Sequence, residues 1–309
     1  MAFDEQYRQQ VALLLRVLPF VAAEEIFAMK GGTAINLFIR DMPRLSVDID
    51  LTYLPVQPRA ASLAGIDEGM KRIRDQITGK MPAAKVSESK AEGIATKLLV
   101  RERGVQVKIE VTPVLRGCVF EPEIRPVSEK VESLFGYAEA RIVSFQDLYA
   151  GKIVAALDRQ HPRDLFDGRD LLANEGIDDD LRRAFIVYLL SHHRPMGEVL
   201  ACSRKPLDKL FKTDFEGMTD ELVTVAALAE AREDLVREIV GKMPAAHKSF
   251  LLSFERGEPD WALLGVAAAA NLPAIKWRQQ NLDSLSAQRR NVLVAHLEGV
   301  LNEADEARL

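Results

Sequence analysis

Apolar residues recur at Val11, Leu14, Leu15 and Leu18, the i, i+3, i+4, i+7 spacing of an amphipathic helix. "EIFAMKGG" then reads as a short buried strand ending in a tight turn. "TAINLFIRD" follows as a helix that starts right after the glycines, with Thr33 as its first residue. In "LSVDIDLTYL" apolar and polar positions alternate among β-branched residues, which predicts a strand. Pro55 and Pro58 break the chain before the helical pattern of "RAASLAGIDEGMKRIRDQITGKM". "IATKLLVRERGVQVKIEVTPV" predicts two antiparallel strands turning near Gly104. The second of them puts Val105, Val107, Ile109 and Val111 on one face and Gln106, Lys108, Glu110 and Thr112 on the other. From about Ser144 helical periodicity takes over, with turns near Pro162, Gly176, Pro195, Gly257 and Pro273. The expectation is an α+β domain over residues 1–143 followed by a mainly helical domain over residues 144–309.

The 309-residue length accommodates two such domains with substantial cores. A net charge of −5 means that a nucleic-acid partner would need a local basic patch. Lys71, Arg72 and Arg74 form one such cluster. Cys118 and Cys202 have neither metal-ligand spacing nor the makings of a disulfide framework, which fits a reducing, cytoplasmic setting. The N-terminus begins acidic and Arg16 interrupts its apolar run, so it reads as a poor signal peptide. No segment is long and apolar enough to span a membrane, and no membrane partner is expected. The chain has no internal repeat and no low-complexity tract.

The strand period places Ser46, Asp48 and Asp50 on one face and Leu45, Val47, Ile49 and Leu51 on the other. Two carboxylates so spaced lie roughly 7 Å apart at their Cα atoms. They suit a site for one Mg²⁺ or for two bridged metals, and without a cation they repel. An exposed wet face would explain them too, although Asp is a poor strand residue. Before them, Gly31 and Gly32 open a helix. Backbone N–H groups bare of side chains can cradle a phosphate, and the Thr33 hydroxyl can add a donor; a plain strand-to-helix turn is the alternative. Glu110, on the polar face of its strand, is a candidate third carboxylate or an exposed residue beside Lys108. Further along, Lys152 and Arg159 are seven apart on a helical pattern and can point at one anionic ligand. Asp164 fits the first turn of the helix after Pro162, where it meets the dipole, and His161 fits a cap or the surface.

The order Gly-Gly-Thr, helix, Arg-x-Ser-x-Asp-x-Asp, in "KGGTAINLF" and "RLSVDID", resembles the nucleotidyltransferase-like toxins of the AbiEii/MenT type within the DNA polymerase β-like superfamily. "LYAGKIVAALDRQHPRDLFDGRDLL" is similar to a second block of the same family. The resemblance implies a polymerase β-like core with a mixed β-sheet flanked by helices. It implies that Asp48 and Asp50 bind metal, that Ser46 lies beside the triphosphate, and that Gly31, Gly32 and Thr33 form the phosphate turn. It also implies that Lys152 contacts the nucleotide phosphates and that Asp167 is the acidic residue of the last motif. The third carboxylate here is Glu110 in place of Asp, and the superfamily's usual Gly-Ser turn is Gly-Gly-Thr.

The implied reaction is a Mg²⁺-dependent transfer of NMP from an NTP, with Arg44 and Arg159 as further phosphate contacts. The resemblance implies the 3′ end of tRNA as acceptor, with aminoacylation blocked and growth arrested, and a cognate DNA-binding antitoxin encoded nearby. Lys71, Arg72, Arg74, Arg159, Arg163 and Arg169 are the expected tRNA-facing cations. Two other outcomes stay open: transfer to a protein or small-molecule hydroxyl, and a nucleotide- or RNA-binding module without chemistry.

Overall fold

Val11, Leu14 and Leu18 are fully buried along α1 (Glu5–Ala22), as their spacing dictates. The computed structural model describes residues 5–306; the acidic opening at residues 1–4 lies outside them. The chain divides into two compact units, Met1–Ser144 with Met218–Glu221, and Phe145–Gly217 with Leu222–Leu309.

The first unit is built on a seven-stranded mixed sheet. Its strands are β1 (Phe27–Lys30), β2 (Ile49–Tyr53), β3 (Lys85–Ala91), β4 (Ile94–Glu102), β5 (Val105–Arg116), β6 (Glu123–Pro126) and β7 (Glu139–Ile142). Their order across the sheet is β3-β4-β5-β2-β1-β7-β6. The β2–β5 and β1–β7 pairs are parallel and the other neighbours antiparallel. Between β1 and β2 run α2 (Gly31–Ala34) and a π-helical turn over Ile35–Ile39. α3 (Arg59–Lys80) and α4 (Glu129–Phe135) complete the unit. The helix starts at Gly31, with Lys30 in the capping position, two residues earlier than Thr33.

The strand that carries the aspartates is shorter than the alternation predicts. It begins at Ile49, so Ser46 and Asp48 precede the ladder and only Asp50 belongs to it. The backbone of the preceding segment is bonded elsewhere: Leu45 N donates to Met218 O at 2.8 Å, and Thr219 Oγ1 donates to Pro43 O at 2.8 Å. β3 and the short β6–β7 pair were not among the predicted elements.

The second unit is helical, as its periodicity predicts. Its helices are α5 (Phe145–Asp158), α6 (Pro162–Asn174), α7 (Asp179–Leu190), α8 (Met196–Ala201), α9 (Asp208–Asp214), α10 (Val225–Val236), α11 (Ala245–Glu255), α12 (Pro273–Asp283) and α13 (Ala287–Glu306). Pro162 opens α6, and the His161 side chain caps it by accepting from Arg163 N. Asp178 caps α7 through Leu181 N at 2.7 Å. None of the described helices is long and apolar enough to cross a membrane.

Candidate active site

The glycine turn is shaped by what lies against it. Gly31 has φ +80°, and a Cβ there would stand 2.6 Å from Asp50 Oδ2. Glycine is therefore required twice, by the backbone conformation and by the carboxylate that packs on it. A Cβ on Gly32 would meet Arg44 Nη2 at 2.6 Å and Ser46 Oγ at 3.0 Å. Thr33 Oγ1 and Ser46 Oγ share a hydrogen bond of 3.0 Å. Asn36 ties the segment together: its Nδ2 donates to Gly32 O at 2.7 Å and its Oδ1 accepts from Arg44 N at 3.2 Å. Arg44 is buried, with Nη1 donating to Leu45 O at 3.0 Å. Ser46 N donates to Tyr7 Oη at 3.3 Å. Gly31, Gly32, Thr33, Arg44, Ser46 and Asp50 thus form one continuous cluster.

Asp50 is paired by register with Lys30 on β1 and with Glu110 on β5, so the three side chains share a sheet face. Burial raises the Asp50 carboxyl above its ordinary range; Lys108 opposes this, Asp48 adds to it, and Lys30 and Glu110 act more weakly in opposite directions. Burial pushes the Lys30 ammonium below its ordinary range, against the charge of Asp50. Lys108 Nζ lies 3.2 Å from Asp48 Oδ2 and 2.9 Å from Glu110 Oε2. Glu110 also pairs with Lys97 at 3.3 Å. Burial would raise the Glu110 carboxyl, yet these two lysines, Lys108 foremost, hold it below its usual range. Among the described residues no three His, Cys, Asp or Glu side chains gather as a metal cage. Asp48 and Asp50 nonetheless offer hard oxygen donors of the kind Mg²⁺ takes, and an ammonium already stands beside Asp48 as a stand-in cation.

The second block forms its own cluster in the second unit. Lys152 Nζ lies 2.9 Å from Asp164 Oδ1 and 3.0 Å from Asp167 Oδ2, all three side chains being buried. Arg159 donates to the same Asp164 carboxylate, Nε at 2.5 Å and Nη2 at 3.0 Å. Lys152 and Arg159 do converge on one anion, and that anion is Asp164. Burial would raise the Asp164 carboxyl, but Lys152 and Arg159 together hold it far below the usual carboxylate range.

The basic cluster of α3 is internally paired. Lys71 bonds Asp67 at 2.6 Å, Arg72 forks onto Glu24, and Arg74 reaches Asp75 at 2.8 Å and Glu88 at 2.6 Å. Arg169 stacks over Phe166 at 4.8 Å. Sequence reasoning gave no role to Lys30, Lys97 or Lys108. Alternation did put Lys108 beside Glu110; what it lacked was the parallel β2–β5 register that brings both to Asp48 and Asp50.

Comparison with known proteins bears on the fold and the family. A likeness in fold extends to a solved structure, MenT4, nucleotidyltransferase toxin Rv2826c from Mycobacterium tuberculosis H37Rv, at 14% identity and a TM-score of 0.57, covering 96% of this chain and 95% of that one. No curated protein matches the sequence significantly. The family model described as "Nucleotidyl transferase AbiEii toxin, Type IV TA system" matches residues 12–279. With most of its length so matched, the chain belongs to the AbiEii nucleotidyl transferase toxin family of type IV toxin–antitoxin systems.

Proposed function

We propose that this protein is an active, Mg²⁺-dependent nucleotidyltransferase that moves NMP from an NTP to the 3′ end of tRNA, and that this block on aminoacylation is its toxicity. The observation that carries the reading is the packing of the Gly31 turn directly on Asp50, which puts a side-chain-free backbone turn next to a metal-type carboxylate. A triphosphate and its cation need those two features together.

Asp48 and Asp50 would hold the cation, which supplies charge neutralisation for the attacking and leaving oxygens. The Gly31–Thr33 amides and the Thr33 and Ser46 hydroxyls bind and orient the triphosphate. Arg44, rigid in its buried setting, fixes the turn and offsets phosphate charge. Glu110 sets the position of Lys108 beside Asp48. Lys152 serves as a nucleotide-phosphate contact, Arg159 as a second cation there, and Asp167 as the carboxylate that orients Lys152. A cognate antitoxin acts as the partner in the cytoplasm.

One observation favours keeping a second acceptor in play. Lys71, Arg72 and Arg74 are each paired with the protein's own acids, which weakens the basic surface a tRNA would use. A protein or small-molecule hydroxyl makes no such demand. Incubating wild type and Asp50→Ala with each α-labelled NTP, total tRNA and total protein separates these outcomes. Label on tRNA with wild type only supports the reading. Label on protein alone moves the acceptor, and no label on anything removes the chemistry.

A further inference from the structure

Arg116 ends β5 as the register partner of Tyr53, after an irregularity in the β2–β5 ladder between Leu51 and Tyr53. The residue is 8% exposed, and its Nε and Nη1 atoms have no hydrogen-bond partner among the described residues. Arg16, Arg72 and Arg74 of this unit each reach a carboxylate, Glu102, Glu24 and Glu88 in turn. Among the described residues no carboxylate offsets the charge of Arg116. Burial opposes it, the nearby Arg59 adds a like charge, and Tyr53 alone acts in its favour. A buried guanidinium with idle donors and no counter-charge is costly, and an incoming anion would relieve all three defects at once.

The surroundings suit an anion. Arg59, which pairs with Glu92, is the first residue of α3, a helix of 22 residues with no acid in its first turn and no capping side chain, so its own residues leave the positive end of its dipole open to an anion. Gln57 Nε2 donates to Tyr53 Oη at 3.2 Å, which fixes the hydroxyl beside the same strand end. Val56 and Val114, which flank these residues in sequence, are 50% and 58% exposed, so this end of the strands opens to solvent. Tyr53 and Asp50 are three apart on β2 and point to opposite faces of the sheet.

We propose that Arg116, with Arg59 and the start of α3, forms a binding site for a phosphate-type oxyanion on the sheet face opposite Asp50. The occupant is a phosphate group, either free or carried in an RNA backbone. The site rests on the missing partner of Arg116 and stands whether or not the chain transfers nucleotides.

The test uses the full chain, isotope-labelled at arginine, titrated with inorganic phosphate at low ionic strength without divalent cation. The Arg116 Nε–H resonance is expected to move saturably with phosphate and not with chloride at equal ionic strength. Arg116→Gln should lower phosphate affinity by about ten-fold, the worth of a charge-assisted hydrogen bond. Arg59→Gln should cost less, because Arg59 is exposed and already pairs with Glu92. An unmoved Arg116 resonance overturns the proposal, and so does unchanged phosphate affinity in Arg116→Gln. If Arg116→Gln fails to fold, the wild-type resonance decides alone. A short RNA oligonucleotide that displaces phosphate from the wild-type site identifies a backbone phosphodiester as occupant; an oligonucleotide without effect there identifies free phosphate.

Discussion

Lys152 and Asp164 meet at 2.9 Å across α5 and α6, with Asp167 3.0 Å from the same ammonium and the side chain of each aspartate only 1% exposed. Two carboxylates with that little water must be neutralised from within. Removing one side of a buried ion pair costs about 3–5 kcal/mol, because the other charge is left without compensation. Asp164→Ala leaves the Lys152 ammonium with Asp167 alone and removes the carboxylate that the largely exposed Arg159 bonds. It is therefore expected to lose less than that range, about 1.5–3 kcal/mol, the worth of a hydrogen bond to a charged group, read from the urea midpoint of the full chain. A loss under about 1 kcal/mol, the worth of an exposed pair, would mean the carboxylate is not held as described. Inactivity of a Lys152 variant therefore has two sources, and stability must be measured beside activity.

Gly31→Ala tests the contact at the centre of the proposed site. The new methyl would sit 2.6 Å from Asp50 Oδ2, at a φ of +80°. Left-handed backbone on a non-glycine residue costs of order 1–3 kcal/mol, and here a carboxylate must also move. The variant is expected to fold with a lowered melting temperature and to lose nucleotidyl transfer. Gly104→Ala is the control: it carries a similar φ of +85° but has nothing within 4 Å of the added Cβ. It should share the stability loss and keep the activity.

The elements with clean periodicity were legible. α1, α3 and the β4–β5 hairpin follow from local spacing, since each buries one face of a regular pattern. The edges were not legible. β3 reads KVSESKA, a polar edge strand with no apolar alternation, and β6 ends in Pro126. The start of β2 was misplaced because the residues before it are bonded to Met218 and Thr219, a tertiary contact that no local pattern encodes. In the site, the Gly-Gly turn was visible, but its reason is Asp50 packing against it. Asp164 does stand in the first turn of α6, as the dipole reading has it. A helix-dipole argument explained it locally and so hid its role as the anion on which Lys152 and Arg159 converge.

Lys108 is the ammonium that now offsets Asp48 and Glu110. A divalent cation drawn to Asp48 competes with it for the same oxygens. Lys108→Met keeps the stem and deletes the charge, so Mn²⁺ used as a Mg²⁺ analogue should bind several-fold more tightly, as expected when a like charge near the ligand is removed. Mn²⁺ titration followed by electron paramagnetic resonance checks this without reference to turnover. Weaker binding in Lys108→Met would show that Lys108 positions Asp48 and does not compete for it.

Acid sensitivity should come from the second unit before the carboxylates titrate. His161, His192 and His247 each have their ring pKa lowered, in every case chiefly by burial. In the unfolded chain they protonate near the ordinary value of about 6.5. The unfolded state therefore binds more protons as pH falls through that value, and the slope of stability with pH is positive there. Their contribution is fully present above about pH 6.5 and is lost progressively below it. His161 adds a structural reason, because its Nδ1 accepts from Arg163 N at 3.2 Å as the cap of α6, and a proton on that nitrogen abolishes the acceptor. Urea midpoints are expected to fall between pH 7 and pH 5 in wild type. His161→Asn, which supplies a cap acceptor that does not titrate, should flatten part of that slope. A slope unchanged in His161→Asn would assign the acid sensitivity to His192 and His247 alone.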